Sequence, residues 1–384
     1  MLITTSGELH AFCESLDGHP FVAVDTEFIR ERTYWPKLCL VQVAVEGNAA
    51  AIDALAPNLD MAPLFDLMRD KCVLKVFHSP GQDLSLFHTV MQGVPAPIYD
   101  TQTAAMVCGF GEQPAYATLV ESLLGARVDK ASQMTDWSRR PLTDRQIDYA
   151  LSDVTHLVHL YGILTGKLDE MGRTDWVEQE LAALLEPSSY VADPNDQWRR
   201  VRLRRPSRRA LAVLREVAGW REKVAQERDR PRAWIIRDDS LAEIAANQPT
   251  TVADLERVRG VNPRFAEGPD GQAIIEAVTR AIESKPDTWP EVPSRNGSSD
   301  VSDTLVALLQ ALLKIRADQN QVATGLVANR RDLELIAMDD NADVRALTGW
   351  RRAVFGEDAL RLKHGEIGIT SNGSDAIAIR MDAG

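Results

Sequence analysis

Apolar and polar positions along this chain follow two periods, and the change from one to the other divides it. Residues 21–28 read Phe-Val-Ala-Val-Asp-Thr-Glu-Phe, an apolar run that ends in carboxylates. Residues 38–45 and about 49–53 repeat the apolar character after short polar breaks, so three successive strands in an antiparallel meander are predicted. Asp60 to Arg69 has helical spacing, and Lys71 to His78 reads as a further strand. Ser79 and Pro80 predict a helix start, with Ser at the cap and Pro in the first position. Leu84, Phe87, His88 and Met91 form the buried stripe of that helix, and Gly93 is expected to end it. Tyr99 and Asp100 close a short strand, with Asp100 placed to cap a helix from Thr101 to Cys108. Thr143 and Gln146 stand in capping-box spacing before a long stripe from Ile147 to Leu164. Strands first, then alternating helix and strand, predict an α/β domain with a mixed sheet flanked by helices over residues 1–186.

Beyond that point the pattern is helical only. Residues 187–205, rich in Pro, Ser, Asp and Arg, read as a linker. A first small all-α domain is expected over 206–284, with helices at about 206–229, 239–247, from a Thr251 cap, and at 265–283. Residues 285–300 read as a second linker, and 301–375 as a second helical domain. Trp220-Arg221 and Leu241 to Ala245 are echoed by Ile315-Arg316 and Leu333 to Ala337, which suggests two domains of one kind. Residues 376–384, and the stretch from about Thr370, are expected to be a flexible tail.

Composition narrows the class. The 45% hydrophobic and 26% charged fractions of the 384 residues are those of a globular protein. Cys13, Cys39, Cys72 and Cys108 are widely spaced, so reduced thiols in a cytoplasmic protein are expected rather than a zinc site or disulfide framework. Neither a leader-like first segment nor a membrane-length apolar run is visible, and no membrane partner is expected. A net charge of −13 argues against nucleic acid if taken globally. Residues 199–232, however, carry thirteen basic side chains against four acidic ones. Arg204, Arg205, Arg208 and Arg209 in that block are candidate phosphate contacts, with a solvated helix face as the plain alternative.

The candidate chemistry lies in acids that three elements deliver. On a strand, Asp25 and Glu27 share a face while Val24, Thr26 and Phe28 take the other. Asp83 falls in the first turn of the helix after Ser79-Pro80, and Tyr149 and Asp153 stack four residues apart on the long helix. Four carboxylates in a small space call for cations, and two divalent ions are the standing solution for phosphodiester hydrolysis. Several neighbours are read as structural. Asp100 is a helix cap, Gln42 a strand residue with a satisfied amide, and Asp136 and Trp137 a cap and a packed aromatic.

The set Asp25-Thr26-Glu27-Phe28, His78 to Asp83, and Tyr149-x-x-x-Asp153 resembles the three exonuclease motifs of the DEDD superfamily, in its tyrosine-bearing branch. Arg32 to Leu38, Lys75 to His78 and Asp136 to Leu142 narrow the likeness to the ribonuclease D family. That family carries helicase-and-RNase-D C-terminal (HRDC) domains, and Trp220-Arg221 with Ala233 to Ala245 resembles the first of them. The resemblance implies an RNase H-like exonuclease domain followed by two HRDC-type domains, the second divergent. It implies Asp25, Glu27, Asp83 and Asp153 as ligands of two cations, Mg²⁺ or Mn²⁺, and Tyr149 as the residue that positions the attacking water. It further implies 3′-to-5′ release of 5′-mononucleotides from RNA ends, tRNA precursors included; no obligate protein partner is visible in the sequence. Thr26, Phe28 and His78 are candidate contacts to the terminal nucleotides, with a structural role at a strand end as the alternative for His78.

Two rivals stand beside this expectation. One is an exonuclease acting on DNA or short oligonucleotides, because the motifs do not read the sugar. The other is a catalytically inactive nucleic-acid scaffold, which has no reason to keep buried like charges.

Overall fold

The structure is a computed structural model and describes residues 1–129, 135–186, 190, 192–292 and 302–381. Six strands form one mixed sheet: β1 (Leu2–Ile3), β2 (Phe21–Ile29), β3 (Lys37–Val45), β4 (Asn48–Asp53), β5 (Leu74–Phe77) and β6 (Ile98–Asp100), in the order β1-β4-β3-β2-β5-β6. The meander β2-β3-β4 is antiparallel, while β1, β5 and β6 join parallel to their neighbours. The strand β2 is central and buried on both faces, which is why its apolar half does not alternate with polar residues.

Val22 and Val24 point into one layer with α1 (Ser6–Ser15), α2 (Ala62–Arg69) and α3 (Gly81–Met91). Ala23 and Ala44 point into the other, against α4 (Thr101–Val107), α5 (Asp144–Met171) and α6 (Thr174–Ala182). The small side chains of that second face let the 28-residue α5 lie close over the sheet. The capping box of Thr143 with Gln146 starts α5, and Gly172 ends it in a left-handed conformation at φ 61°. Asp100 caps α4 as expected, its side chain accepting from the Gln102 amide.

Residues 192–292 form a separate helical unit around α7 (Arg208–Glu227), α8 (Asp238–Asn247) and α9 (Pro269–Glu283). Its core is its own: Leu211, Leu214, Val217, Leu241, Ile244, Ile274 and Val278 pack together. The last helical region, α10 (Asp303–Gln319), α11 (Arg330–Met338) and α12 (Glu357–Lys363), behaves differently. Val306, Leu309, Leu333 and Phe355 belong to the same apolar cluster as Val154, Leu157 and Leu164 of α5. Trp176 and Trp350 stack at 4.2 Å with their planes 7° apart, and Arg351 pairs with Glu180 beside them. One continuous core therefore joins this region to the back of the six-stranded sheet.

Four local expectations are corrected. Ser79 does not cap α3: it takes φ 57°, Pro80 holds the cap position, and the Ser79 amide donates to Asp100 at 2.7 Å. The helix α3 ends at Met91 on left-handed Gln92, one residue before Gly93. The stretch read as a linker holds 3₁₀ helix at Pro194–Arg200, whose Trp198 sits in the first helical core, and its residues 187–189 and 191 lie outside the described residues. Residues 367–380 are a hairpin, β7 (Ile367–Ser371) paired with β8 (Ala376–Arg380), where a tail was expected from about Thr370, and residues 382–384 of that tail lie outside the described residues. Of the second expected linker, residues 293–300 lie outside the described residues.

Candidate active site

At its C-terminal end β2 carries Asp25 and Glu27 to the mouth of a cleft of about 1170 Å³. A β-bulge falls between Glu27 and Phe28, where the pairing with β3 skips Cys39. Such a bulge re-aims side chains locally, and here it leaves Phe28 both against the α3 layer and on the cleft wall. The helix α5 crosses behind the strand and delivers Tyr149 and Asp153. Carboxylate oxygens of Asp25, Glu27 and Asp153 lie within 4.8 Å of one another.

Asp83 completes the group from the first turn of α3, nearly buried, with its carboxylate accepting from the Thr26 hydroxyl. It stands slightly apart from the other three but close enough for its charge to act on Asp25 and Glu27. Thr26 is thus a buried tether for Asp83.

The electrostatics follow from crowding acids away from water. Burial first, then the charges of Asp83 and Asp153, hold the Asp25 carboxyl well above the usual range. Burial, then the charges of Asp25, Asp153 and Asp83, push Glu27 up to about 10. Burial pushes Asp83 up to about 6 although the Thr26 hydrogen bond opposes it. Asp153 is also pushed up to about 6 by burial, against the Tyr149 hydrogen bond. One Asp153 oxygen, Oδ1, is buried with no hydrogen-bond partner among the described residues. An orphaned carboxylate oxygen amid three more acids is a hard-oxygen donor set, and it fits divalent cations.

Tyr149 donates to the Asp153 carboxylate, and burial with the nearby acids raises its own pKa. In the metal-free fold its phenol therefore keeps its proton at neutral pH. Trp137 lies beneath it, ring centroids 6.1 Å apart, and is buried as expected for a packed aromatic. The segment holding Trp137 is fixed by Arg140, which donates to both Asp53 carboxylate oxygens and to the carbonyls of Cys39 and Trp137.

His78 sits where the cleft meets a smaller lobe of about 240 Å³ that Asp25, Tyr116, Tyr149 and Asp153 also line. Its Nδ1 is 3.0 Å from the Thr101 hydroxyl, its ring stands edge-on to Tyr116, and burial lowers its pKa. Sequence reasoning missed Tyr116, whose hydroxyl donates to the Asp153 carbonyl. It lies on a four-residue helix too short to show a period. Also missed was the presence of Arg30, Arg32 and Lys37 on the lining of the same cleft.

Gln42 departs from expectation. It pairs with Asp25 across the ladder and is fully buried, yet neither amide atom has a partner among the described residues. Part of the basic block of 199–232 is engaged within the protein, although nine of its thirteen basic residues are exposed. Arg208 donates to the carbonyls of Pro286 and Trp289 and pairs with Glu291, so it ties α7 to the segment after α9. Arg221 pairs with Asp238, and Arg228 with Asp270. Arg204, Arg205 and Arg209 remain on the surface.

Comparison with known proteins adds the following. Residues 1–169 match the family model described as 3'-5' exonuclease, and residues 210–278 match the HRDC domain. The chain is 47% identical to a ribonuclease D of Granulibacter bethesdensis, over 97% of this chain and 94% of that one. It is 46% identical to that of Gluconacetobacter diazotrophicus, over 97% and 95%. Among solved structures it superposes on Escherichia coli RNase D, described as an exoribonuclease involved in structured RNA processing. That match has a TM-score of 0.80 at 29% identity, covering 95% of this chain and 98% of that one. The catalytic core of RRP6 from Trypanosoma brucei shares the fold at a TM-score of 0.56 and 22% identity, over 73% of this chain and 79% of that one.

Proposed function

We propose that this chain, which belongs to the ribonuclease D family and is a 3′-to-5′ exoribonuclease, works through Asp25, Glu27, Asp83 and Asp153 as ligands of two divalent cations, Mg²⁺ or Mn²⁺. The observation that carries the reading is the approach of Asp25, Glu27 and Asp153 to within 4.8 Å of one another, with Asp25 and Glu27 on a cleft that Arg30, Arg32 and Lys37 also line. When bound, such ions lower the pKa of a water and neutralise charge on the leaving oxygen. The four carboxylates hold them from three elements, so the site exists only when the sheet, α3 and α5 are packed.

Tyr149 has its proton committed to Asp153. Its oxygen lone pair then accepts from a water O–H and turns that water's own lone pair toward the phosphorus. Arg30, Arg32 and Lys37 supply positive charge for the phosphates of an entering strand. Thr26 positions Asp83 rather than the nucleotide, whereas Phe28 and His78, both on the cleft wall, are placed to touch the terminal nucleotides. Arg204, Arg205 and Arg209, exposed on the first helical unit, are phosphate contacts of longer RNA. Residues 206–284 and 301–375 act as two HRDC-type domains, the second built into the exonuclease core. The natural substrates are RNA 3′ ends, tRNA precursors included, in the cytoplasm, and the free state of Cys13, Cys39, Cys72 and Cys108 fits that compartment.

The test is incubation of purified protein with a 3′-labelled oligoribonucleotide in Mg²⁺ and again in EDTA. Label is expected to leave as a mononucleotide in Mg²⁺ and to stay in EDTA. Equal release in both would overturn the cation assignment.

A further inference from the structure

We infer that the first helical unit sets the position of the cleft's basic loop, residues 30–36, through a two-point clamp on Tyr34 and its backbone. The loop joins β2 to β3 and puts Arg30, Glu31, Arg32 and Thr33 on the cleft wall. Seven residues between two strands, with charged side chains facing a cleft, have little apolar contact of their own to hold them. What holds them comes from nearly two hundred residues away.

The first point is buried. Tyr34 is 4% exposed and its hydroxyl donates to Glu222, which is wholly buried in α7. Arg232 closes the same group, donating to both Glu222 oxygens and, at 3.1 Å, to the Tyr34 oxygen, with its guanidinium 4.9 Å from the ring centroid. Gln226 donates to that oxygen as well, also at 3.1 Å. A buried carboxylate with a bidentate arginine and a phenol donor is fully satisfied, so it fixes the ring rather than merely covering it.

The second point is on the backbone. Asp229 Oδ1 accepts from the amides of both Tyr34 and Trp35, each at 3.0 Å. Asp229 follows α7 with φ 47°, a left-handed conformation that a non-glycine residue rarely takes. Two successive loop amides and one ring therefore converge on the C-terminal end of a single helix. Nothing in packing alone requires a polar clamp at this place, and the one segment it fixes is the one that carries Arg30 and Arg32.

The consequence is for substrate affinity. A loop already ordered makes its phosphate contacts without an ordering cost, and a released loop bears that cost when RNA binds. Tyr34 and Asp229 are positioning residues and touch neither the cations nor the reacting phosphate. The inference rests on the reading that RNA enters this cleft.

Tyr34→Phe removes the buried hydroxyl and keeps the ring. Asp229→Gly removes the carboxylate and suits the left-handed backbone, so neither variant endangers the fold. In the double variant of the full chain, deuterium uptake across residues 30–36 is expected to quicken by roughly tenfold or more, with the rest unchanged. KM for a single-stranded oligoribonucleotide is expected to rise by roughly tenfold, about the cost of ordering one residue, while kcat stays within about twofold. Unchanged uptake over 30–36 overturns the clamp. Faster uptake with unchanged KM, or a loss in kcat alone, overturns its role in binding. The exchange measurement needs no turnover, so failure of the clamp is distinguishable from failure of the cation site.

Discussion

Tyr149 hydrogen-bonds to the carboxylate of Asp153, one helical turn further along α5, and keeps its phenolic proton. That single bond ties the residue that orients water to a residue that holds a cation, and it lowers the Asp153 pKa against burial. Tyr149→Phe keeps the ring against Trp137 and loses only the hydroxyl. Single-turnover rates are expected to fall on the order of a hundredfold, while affinity for Mn²⁺ stays close to that of the parent. A Phe variant that turns over normally would remove Tyr149 from the mechanism.

Asp25 is held well above the usual carboxylate range by burial first and then by the charges of Asp83 and Asp153. Asp25→Asn is expected to lose about a thousandfold or more in turnover, the rate equivalent of several kcal/mol of charge stabilisation. The same change removes a like charge from the group, so its melting temperature in EDTA should equal or exceed that of the parent. Lower stability in EDTA would show Asp25 to be a structural acid.

The acids also fix a dependence on pH. In the metal-free fold Asp83 and Asp153 keep their protons up to about pH 6. The unfolded chain has already released them near pH 4. The folded state thus binds more protons across that window, and stability falls as pH rises through it. Cations bind the deprotonated form, so Mg²⁺ should restore more stability at pH 7 than at pH 5. Melts of the parent and of Asp153→Asn, with EDTA and with Mg²⁺, isolate the effect. It is absent if the two proteins respond alike.

Arg140 and Asp53 form a largely buried, two-bond pair that holds the segment with Trp137 against Tyr149. Arg140→Met leaves the Asp53 carboxylate buried without its partner, at a cost of about 3 kcal/mol by urea unfolding. A loss under about 1 kcal/mol would mean that the pair is solvated and contributes little.

The exposed Arg204, Arg205 and Arg209 predict a salt effect. If each meets one phosphate of single-stranded RNA, their joint replacement by Ala reduces the slope of log affinity against log salt by about 2. An unchanged slope would return the three to a solvated surface.

Much of this was readable before the fold was known, and the reasons are local. The apolar run into Asp25 and Glu27, the Thr143 and Gln146 box, and the Tyr149–Asp153 spacing are short-range patterns, and each took the expected form. What escaped is non-local. The pairing of Tyr34 with Glu222 spans 188 residues and has no spacing to read. Gln42 could not be known to lack partners until α5 was laid over β3. Arg208 looked like a free cation because the carbonyls it meets belong to a segment 78 residues away. The C-terminal hairpin was legible in part. Ala376-Ile377-Ala378-Ile379-Arg380 alternates with period two, and Asn372-Gly373 is a turn signal. Its polar flanks outweighed both.

The most direct measurement is an anomalous difference map from crystals soaked in Mn²⁺. Two peaks are expected among the carboxylates of Asp25, Glu27, Asp83 and Asp153, with one against the orphaned Oδ1 of Asp153. A map with no peak there, at a Mn²⁺ concentration that supports RNA shortening, would contradict the account.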